Sequence, residues 1–244
     1  FIVTIRFVYN SCHSIHHMEN KEKIEKNDFI EIEFTGYYEG KVFDSNIPED
    51  LKQLSPKAKP EKTAVIIGQG MVVPGLDKSL EGKEIGKEYR TNIKCKEAFG
   101  ERKKEMVKII PLSQFTKQNI NPKPGMAVFL DNFLARIITI SGARVITDFN
   151  NPLAGKDIEY KFKIIKKITG EKEKIEIFFN FFFRFIPEFE IKESAIAVKG
   201  QKNFEVLINL FKDKFKELFR KDLELKIEGK PAREKPKEIQ EEAK

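Results

Sequence analysis

Histidine is absent from this sequence beyond residue 17, because all three, His13, His16 and His17, sit in the first segment, and there is no tryptophan anywhere. A body without histidine has no imidazole general base, no Ser-His or Cys-His nucleophilic pair and no His-ligated catalytic zinc. Cysteine is almost as scarce, with only Cys12 and Cys95. Cys12 and its neighbouring histidines match no structural zinc spacing and no second pair follows, so no metal site is expected. A phosphate loop is also missing: Gly68-Gln69-Gly70 is an isolated fragment, and Gly82-Lys83 follows Gly75 at the wrong spacing and precedes Glu84 rather than Ser or Thr. No apolar run approaches the roughly 18 residues of a membrane-spanning helix. The densest, residues 175–186, is broken by Glu176, Asn180 and Arg184. Nor is there a block of one charge sign, since 45 Lys and Arg are interspersed with 38 Asp and Glu for a net +7. That pattern gives a soluble, mildly basic surface without a nucleic-acid stripe. These absences leave chemistry that uses no cofactor, no metal and no covalent intermediate.

The 244 residues suffice for one large domain or two to three small ones at about 150 residues per domain. Residues 1–17 carry a single formal charge, Arg6, whereas the chain after Met18 is dense in Lys and Glu. The expectation is that Met18 is the start of translation and residues 1–17 a read-through from a misplaced start, with a truncated signal peptide at residues 2–9 as the rival reading, and that residues 1–26 form an unstructured leader. Cys95 alternates with Tyr89, Thr91 and Ile93 and reads as a buried structural cysteine on a strand. With Met18 as the start no disulfide exists, which points to the cytoplasm.

Strand periodicity begins at residues 29–35, where Ile30, Ile32 and Phe34 alternate with Glu31, Glu33 and Thr35. Residues 41–45 and 63–67 read as further strands, with the proline-containing stretch 47–60 as a loop. Pro74-Gly75 opens a short helix with Leu76 and Leu80 one turn apart, and Gly82 stops it. Residues 89–95, 127–130, 135–139, 143–148 and 158–168 complete the strands of this part. Beyond Gly170 the alternation of Ile175, Ile177, Phe179, Phe181, Phe183 and Phe185 predicts a strand that leaves Phe178 and Phe182 on its opposite face. Residues 195–198 and 223–227 predict two more strands. The stripe Leu207, Ile208, Phe211, Phe215, Leu218 and Phe219 predicts a helix over residues 204–222. From Gly229 the Lys/Glu/Pro-rich chain reads as a disordered tail.

Four motifs stand in a telling order: Phe34-Thr35-Gly36, Gly40-Lys41-Val42-Phe43-Asp44-Ser45, Ile67-Gly68-Gln69-Gly70-Met71-Val72-Val73-Pro74-Gly75-Leu76, and Ala98-Phe99-Gly100. Over residues 28–168 their order and spacing resemble the FKBP-type peptidyl-prolyl cis-trans isomerases, in the SlyD-like, archaeal long-type branch. The branch is indicated by an insertion of roughly fifty residues between Ala98-Phe99-Gly100 and Asn151-Pro152-Leu153-Ala154-Gly155, where compact members have a short flap. The resemblance implies an α+β fold: an antiparallel half-barrel sheet wrapped on a short helix, a β-rich insert-in-flap domain and a C-terminal α+β domain. The corresponding divisions are 27–101 with 152–170, 102–151, 171–228 and the tail 229–244.

The resemblance also implies a site. Asp44, Phe34, Phe43, Phe99 and Tyr160 take the catalytic positions, and Val72, Val73 and Leu76 line the substrate pocket, with no metal and no cofactor. The family often has Tyr where this chain has Phe34 and Phe99, and compact members have Trp where it has Leu76. Such a wall suits the reaction. Rotation about a prolyl bond must overcome about 18–20 kcal/mol of amide resonance, and an apolar surround disfavours the planar form, whose carbonyl oxygen carries negative charge. No bond breaks, so no nucleophile is required.

The insertion carries Ile109, Ile110, Leu112, Phe115, Met126, Val128, Phe129, Leu130, Phe133, Ile137 and Ile138, more apolar residues than so small a module can bury. Of these, Ile109, Ile110, Leu112, Phe115, Met126 and Phe129 are the candidates for holding unfolded chains, as the insert does in relatives. The expected partners are proline-containing, unfolded or partly folded polypeptides, with no membrane and no specific nucleic acid. Two other readings stand beside this one. The first is a binding-only chaperone on the same fold, suggested by Phe34 and Phe99. The second is a ribosome-docking module, against which the interspersed charge argues.

Overall fold

The computed structural model describes residues 23–130 and 133–227. Cys12, the three histidines, Met18 and the tail from residue 228 lie outside the described residues. In chain order, β1 (Phe29–Tyr38), β2 (Lys41–Ser45), α1 (Pro48–Leu54), β3 (Thr63–Ile66), α2 (Pro74–Leu80) and β4 (Glu88–Ile93) come first. Then follow β5 (Val107–Pro111), α3 (Leu112–Lys117), β6 (Ala127–Leu130), β7 (Phe133–Ser141), β8 (Arg144–Asp148) and β9 (Ile158–Lys167). Last come α4 (Glu171–Phe182), β10 (Phe189–Ile191), β11 (Ala195–Gly200), α5 (Glu205–Phe219) and β12 (Asp222–Ile227).

The first sheet is antiparallel in the order β2-β1-β9-β4, with β3 also on β1. Its inner face follows from the alternation in β1: Ile30 and Ile32 pack with Ile164, Phe162, Leu76 and Leu80 in one core. Helix α2 lies close against β4, because a Cβ on Gly75 would stand 2.3 Å from Ile93 Cγ2. Only a residue without a side chain permits that approach.

Strand β1 hands over from one partner to another along a single edge, pairing with β3 as far as Ile32 and with β2 from Thr35 onward. Asn46 closes the gap between them. Its Oδ1 accepts the Phe34 N–H at 2.8 Å, and its Nδ2 donates to the Ile32 carbonyl at 2.8 Å. Ser45 Oγ donates to the Phe34 carbonyl at 3.0 Å and lies 2.9 Å from Thr35 Oγ1. The segment expected as loop contains α1, begun by Pro48 with Glu49 and Asp50 in its first turn. Proline at the first helical position and acids near the helix N-terminus both favour such a start. The Thr35 hydroxyl donates to Asp50 Oδ2 at 2.6 Å and thereby ties α1 to the sheet.

Between the neighbouring strands β4 and β9 the chain makes a second antiparallel sheet, in the order β5-β8-β7-β6. Helix α3, which the sequence did not announce, sends Phe115 into its core beside Val128, Ala135, Ile137 and Val145.

The last unit corrects the sequence reading. The phenylalanine-rich run is helical in α4, not a strand. Alternation in so dense a run is satisfied by either period. The residues buried are Ile175, Phe178, Phe179 and Phe183, at helical spacings of three and four, and Phe182 packs partly buried against them. Phe178 and Phe182 thus join the core rather than an opposite strand face, and Phe178 meets Phe215 of α5 edge-on at 5.0 Å. The sheet pairs β10 antiparallel and β12 parallel with β11. Cys95 also departs from expectation. It lies in a 3-10 turn after β4 and is only half-buried.

Thr147 is fully buried in the second sheet, and its hydroxyl is without a partner among the described residues. An unbonded buried hydroxyl costs about 1–3 kcal/mol. Thr147→Val keeps the shape and removes the hydroxyl, so it should raise the unfolding free energy of the insert by about 1 kcal/mol or more. Urea denaturation of the two proteins checks this, and a loss of stability would disprove it.

Candidate functional site

Across the first sheet, Thr91, Tyr160, Gly36 and Asp44 follow one another as Cα partners on four adjacent strands. Gly36 leaves a vacancy in this row, and Phe43 fills it. The register between β1 and β2 shifts here: Gly36 pairs with Asp44 and Tyr37 with Val42, so Phe43 is the extra residue of a bulge. Bulges re-aim side chains next to sites. A Cβ at position 36 would stand 2.6 Å from Phe43 Cζ. The Phe43 ring therefore lies directly over the glycine.

Around that ring the other aromatics converge. Phe43 meets Tyr160 at 5.7 Å and Phe99 at 5.9 Å, both edge-on, and Phe34 stands 5.9 Å from Tyr160. Val72 and Val73, just before α2, pack partly exposed against the same core, as do Phe34, Phe43 and Phe99. Tyr160 at 3% and Leu76 at 1% exposure form the floor beneath them. The sequence-expected pocket residues thus come together, with Leu76 supporting the wall from below rather than forming its surface. Among the described residues none hydrogen-bonds to the Tyr160 hydroxyl. Burial, and then the charge of Asp44, push the Tyr160 phenol well above its usual range. It stays protonated and able to donate.

Asp44 stands exposed at the rim. Partial desolvation nevertheless pushes its carboxyl up, against a hydrogen bond from the Ser45 backbone N–H that lowers it. The same wall contains a residue that sequence reasoning missed. Asp77 is buried in the first turn of α2 and accepts the N–H groups of Gly68 at 2.8 Å and Gly70 at 3.2 Å. Both glycines have positive φ, so the carboxylate holds a left-handed turn that leads into Val72 and Val73. The legible signal was an acid in the first turn of a helix that follows a Gly-x-Gly fragment.

The insert candidates divide. Ile109 (63% exposed), Phe129 (69%) and Met126 (39%) are open to solvent, whereas Ile110 and Leu112 are half-buried against the insert's core. Phe115 is 0% exposed and cannot touch another chain. Phe115 is a core residue and not a binding one, because α3 turns it onto the sheet beside Val128, Ile137 and Val145. Phe133 and Leu134, at 68% and 48%, are exposed instead, and Leu134 lies opposite Phe129 in the β6–β7 pair.

Two crossing segments join the insert to the first sheet and are clamped together. The Gly155 N–H donates to the Gly100 carbonyl at 2.7 Å. Asn150 exchanges two hydrogen bonds with the Lys103 backbone at 2.8 and 2.9 Å, and Arg102 Nη2 donates to Asp148 Oδ2 at 2.6 Å. Burial works against the Asp148 charge, but the N–H groups of Asn150 and the Arg102 guanidinium outweigh it and hold the carboxyl below its ordinary range. The clamp begins one residue after Phe99, so the insert's stalk rises from the edge of the aromatic wall.

An antiparallel sheet closed on a short helix, with four aromatic side chains gathered on one face of it, is the arrangement that the motif order implied. Residues 20–116 match the family described as FKBP-type peptidyl-prolyl cis-trans isomerase, and residues 108–153 match the FKBP26 IF domain. The short-type peptidyl-prolyl cis-trans isomerase of Methanocaldococcus jannaschii is 28% identical over 62% of this chain and 98% of its own length. SlyD of Helicobacter pylori is 31% identical over 63% of this chain and 79% of its own. A probable FKBP-type 16 kDa isomerase of Pseudomonas fluorescens is 34% identical over 41% and 68%. The chain belongs to the FKBP-type peptidyl-prolyl cis-trans isomerase family, as an enzyme of SlyD-like build with an insert in its flap.

Gly36→Ala tests the geometry. Its methyl group must displace the Phe43 ring, and small misplacements at a reacting centre cost about tenfold to a hundredfold in rate. A loss of that order in kcat/KM for a proline tetrapeptide, with the far-ultraviolet circular dichroism unchanged, is the expected outcome; undiminished turnover would show that the ring's position does not matter.

Proposed function

We propose that the hollow framed by Phe34, Phe43, Val72, Val73 and Phe99 over Tyr160 is the prolyl site, and that the insert holds unfolded chains beside it. The observation that carries this reading is the row of ring contacts from Phe34 through Tyr160 and Phe43 to Phe99, four aromatic side chains from four separate segments, with Phe43 seated over Gly36. The proline ring lies against the apolar wall, and the imide carbonyl leaves water. The planar amide places negative charge on that oxygen, so its desolvation raises the ground state relative to the twisted state, in which resonance is lost. Cis and trans forms of X-Pro differ by only about 0.5–1 kcal/mol, so one hollow serves both directions. Backbone N–H groups near Val73 keep the peptide in register. Asp44 acts through its field on the twisting carbonyl, and the Tyr160 hydroxyl is the phenol left in a wall that has Phe34 and Phe99 where relatives often have Tyr.

The charge on Asp44 sets a pH dependence of known sign. Its carboxyl titrates above the ordinary value of 3.8. Turnover that draws on the charge should fall as pH is lowered through that raised value, and Asp44→Asn should be flat over the same range. Folding stability runs the opposite way, since the protonated form is the one favoured by the folded protein and stability declines as pH rises above 3.8. A wild-type profile identical to that of Asp44→Asn would remove the residue from the mechanism.

In the insert, β6 is an edge strand whose outer backbone groups face no partner strand among the described residues, and Phe129, Phe133 and Leu134 are exposed along its hairpin. An extended apolar chain can add to such an edge and seat its side chains on these three. Held there, its prolines experience a raised effective concentration at the hollow. The double variant Phe129→Ser, Leu134→Ser should weaken binding of a permanently unfolded, carboxymethylated protein about tenfold and leave tetrapeptide turnover within about twofold. Equal loss of both, or no loss of binding, would refute the division of labour. Phe115→Ala is not a suitable probe, since removing a core phenylalanine costs about 3–5 kcal/mol and would unfold the module.

A further inference from the structure

The C-terminal unit packs on the outer face of the first sheet. Phe29, Ile66 and Ile168 form a seam with Ile177, Phe182, Leu218 and Phe219, and the Phe29 and Phe219 rings stand 5.6 Å apart. This explains why β1 begins with an apolar residue on the side that continues with Glu31 and Glu33. One end of the seam reaches the turn that leads to the pocket. Lys214 of α5 donates through Nζ to Gln69 Oε1, and Gln69 Nε2 donates to Asn27 Oδ1 at 2.7 Å. Asn27 Nδ2 donates in turn to Glu217 Oε1 at 3.2 Å, which returns the chain of bonds to α5 three residues from its start.

Gln69 is the middle of the turn whose flanking glycines are fixed by Asp77. The turn is thus gripped from the core by a carboxylate and from outside by a lysine on another unit. Met71, the next link, packs against the cores on both sides of the sheet, and its sulfur accepts the Ile66 N–H at 3.1 Å. Val72 and Val73 follow directly. A left-handed turn flanked by glycines is conformationally permissive, so the outer grip narrows the positions open to the two valines.

We infer that the C-terminal unit is a positioning element for the prolyl site, with Lys214 acting through Gln69 to fix the substrate-facing placement of Val72 and Val73. The inference rests on the proposed role of those valines. Lys214 touches no reacting group, so its effect falls on substrate placement and not on the twisting step.

The test uses the full chain and the protease-free tetrapeptide assay, which yields KM and kcat separately. Lys214→Met keeps the aliphatic stem and removes the donor, and should raise KM about threefold to tenfold with kcat within about twofold. Lys214→Arg, which restores a donor, should return KM to within about twofold of the parent. In the amide spectrum the Val72 and Val73 signals should shift in Lys214→Met and move back in Lys214→Arg. An unchanged KM in Lys214→Met, or a loss that Lys214→Arg does not recover, overturns the inference. Val73→Ala separates this from the site itself: if Val73→Ala leaves KM unchanged the pocket assignment fails, whereas if it raises KM and Lys214→Met does not, only the positioning role fails.

Discussion

Strand β1 gives one edge to β9 and has two partners to place along the other, and the aromatic row depends on how Asn46 and Ser45 make good the junction between them. Between Ile32 and Thr35 neither β3 nor β2 supplies backbone groups. A buried peptide group left unbonded costs about as much as a lost hydrogen bond, so an unfilled junction would pull the edge open. Asn46 serves both neighbours of the gap with one amide, and Ser45 and Asp50 complete the polar contacts around Thr35. With the junction held, the next residues of β2 have no freedom of register. The bulge falls at Phe43, the ring falls over Gly36, and Asp44 falls opposite the same glycine. The aromatic wall follows from a hydrogen-bonding requirement two residues away.

Much of this was legible in the sequence, for reasons that differ from residue to residue. The inner face of β1 was readable because Ile30, Ile32 and Phe34 alternate with residues that cannot be buried. Gly36 and Phe43 were readable only as parts of ordered motifs, since neither composition nor period says that a ring will occupy a glycine's vacancy. Asn46 and Asp77 left weaker traces, because a side chain that replaces a strand partner or holds a left-handed turn has no repeating signature. Phe115 was misplaced for a related reason. Its helix is one of short length between prolines, and apolar content alone cannot say which members of a surplus are core and which are surface.

The phenylalanine-rich run shows the limit of periodicity. Residues 175–186, nine of the twelve aromatic or aliphatic, fit a period of two as well as one of 3.6, and the arbiter is what lies opposite. In α4 the helical choice brings Phe178, Phe179 and Phe183 against Phe215 and Phe211 of α5, so that a small unit without disulfide or metal among the described residues gains a core of stacked and edge-on rings. Aromatic pairs of this kind contribute about 0.5–1.5 kcal/mol beyond burial. The same composition that obscured the element accounts for its stability.

The proposed site also accounts for why the lack of histidine beyond residue 17 is no handicap for this reaction. Twisting an imide needs neither a proton acceptor nor a nucleophile, and the large term to be reduced is the resonance stabilisation of the planar form, about 18–20 kcal/mol. Phenyl rings at Phe34 and Phe99 in place of phenols remove hydrogen-bond donors, and each neutral bond lost is worth about 0.5–1.5 kcal/mol. In the proposed site, phenyl rings keep the apolar surface that would exclude water from the carbonyl. The balance between those two effects is decided by how firmly the wall is held, because a loose wall readmits water. Asn46 at one side, Asp77 beneath the turn and the clamped stalk beyond Phe99 each restrain a different segment of that wall, and none of them needs to touch a substrate to hold the proposed site in shape.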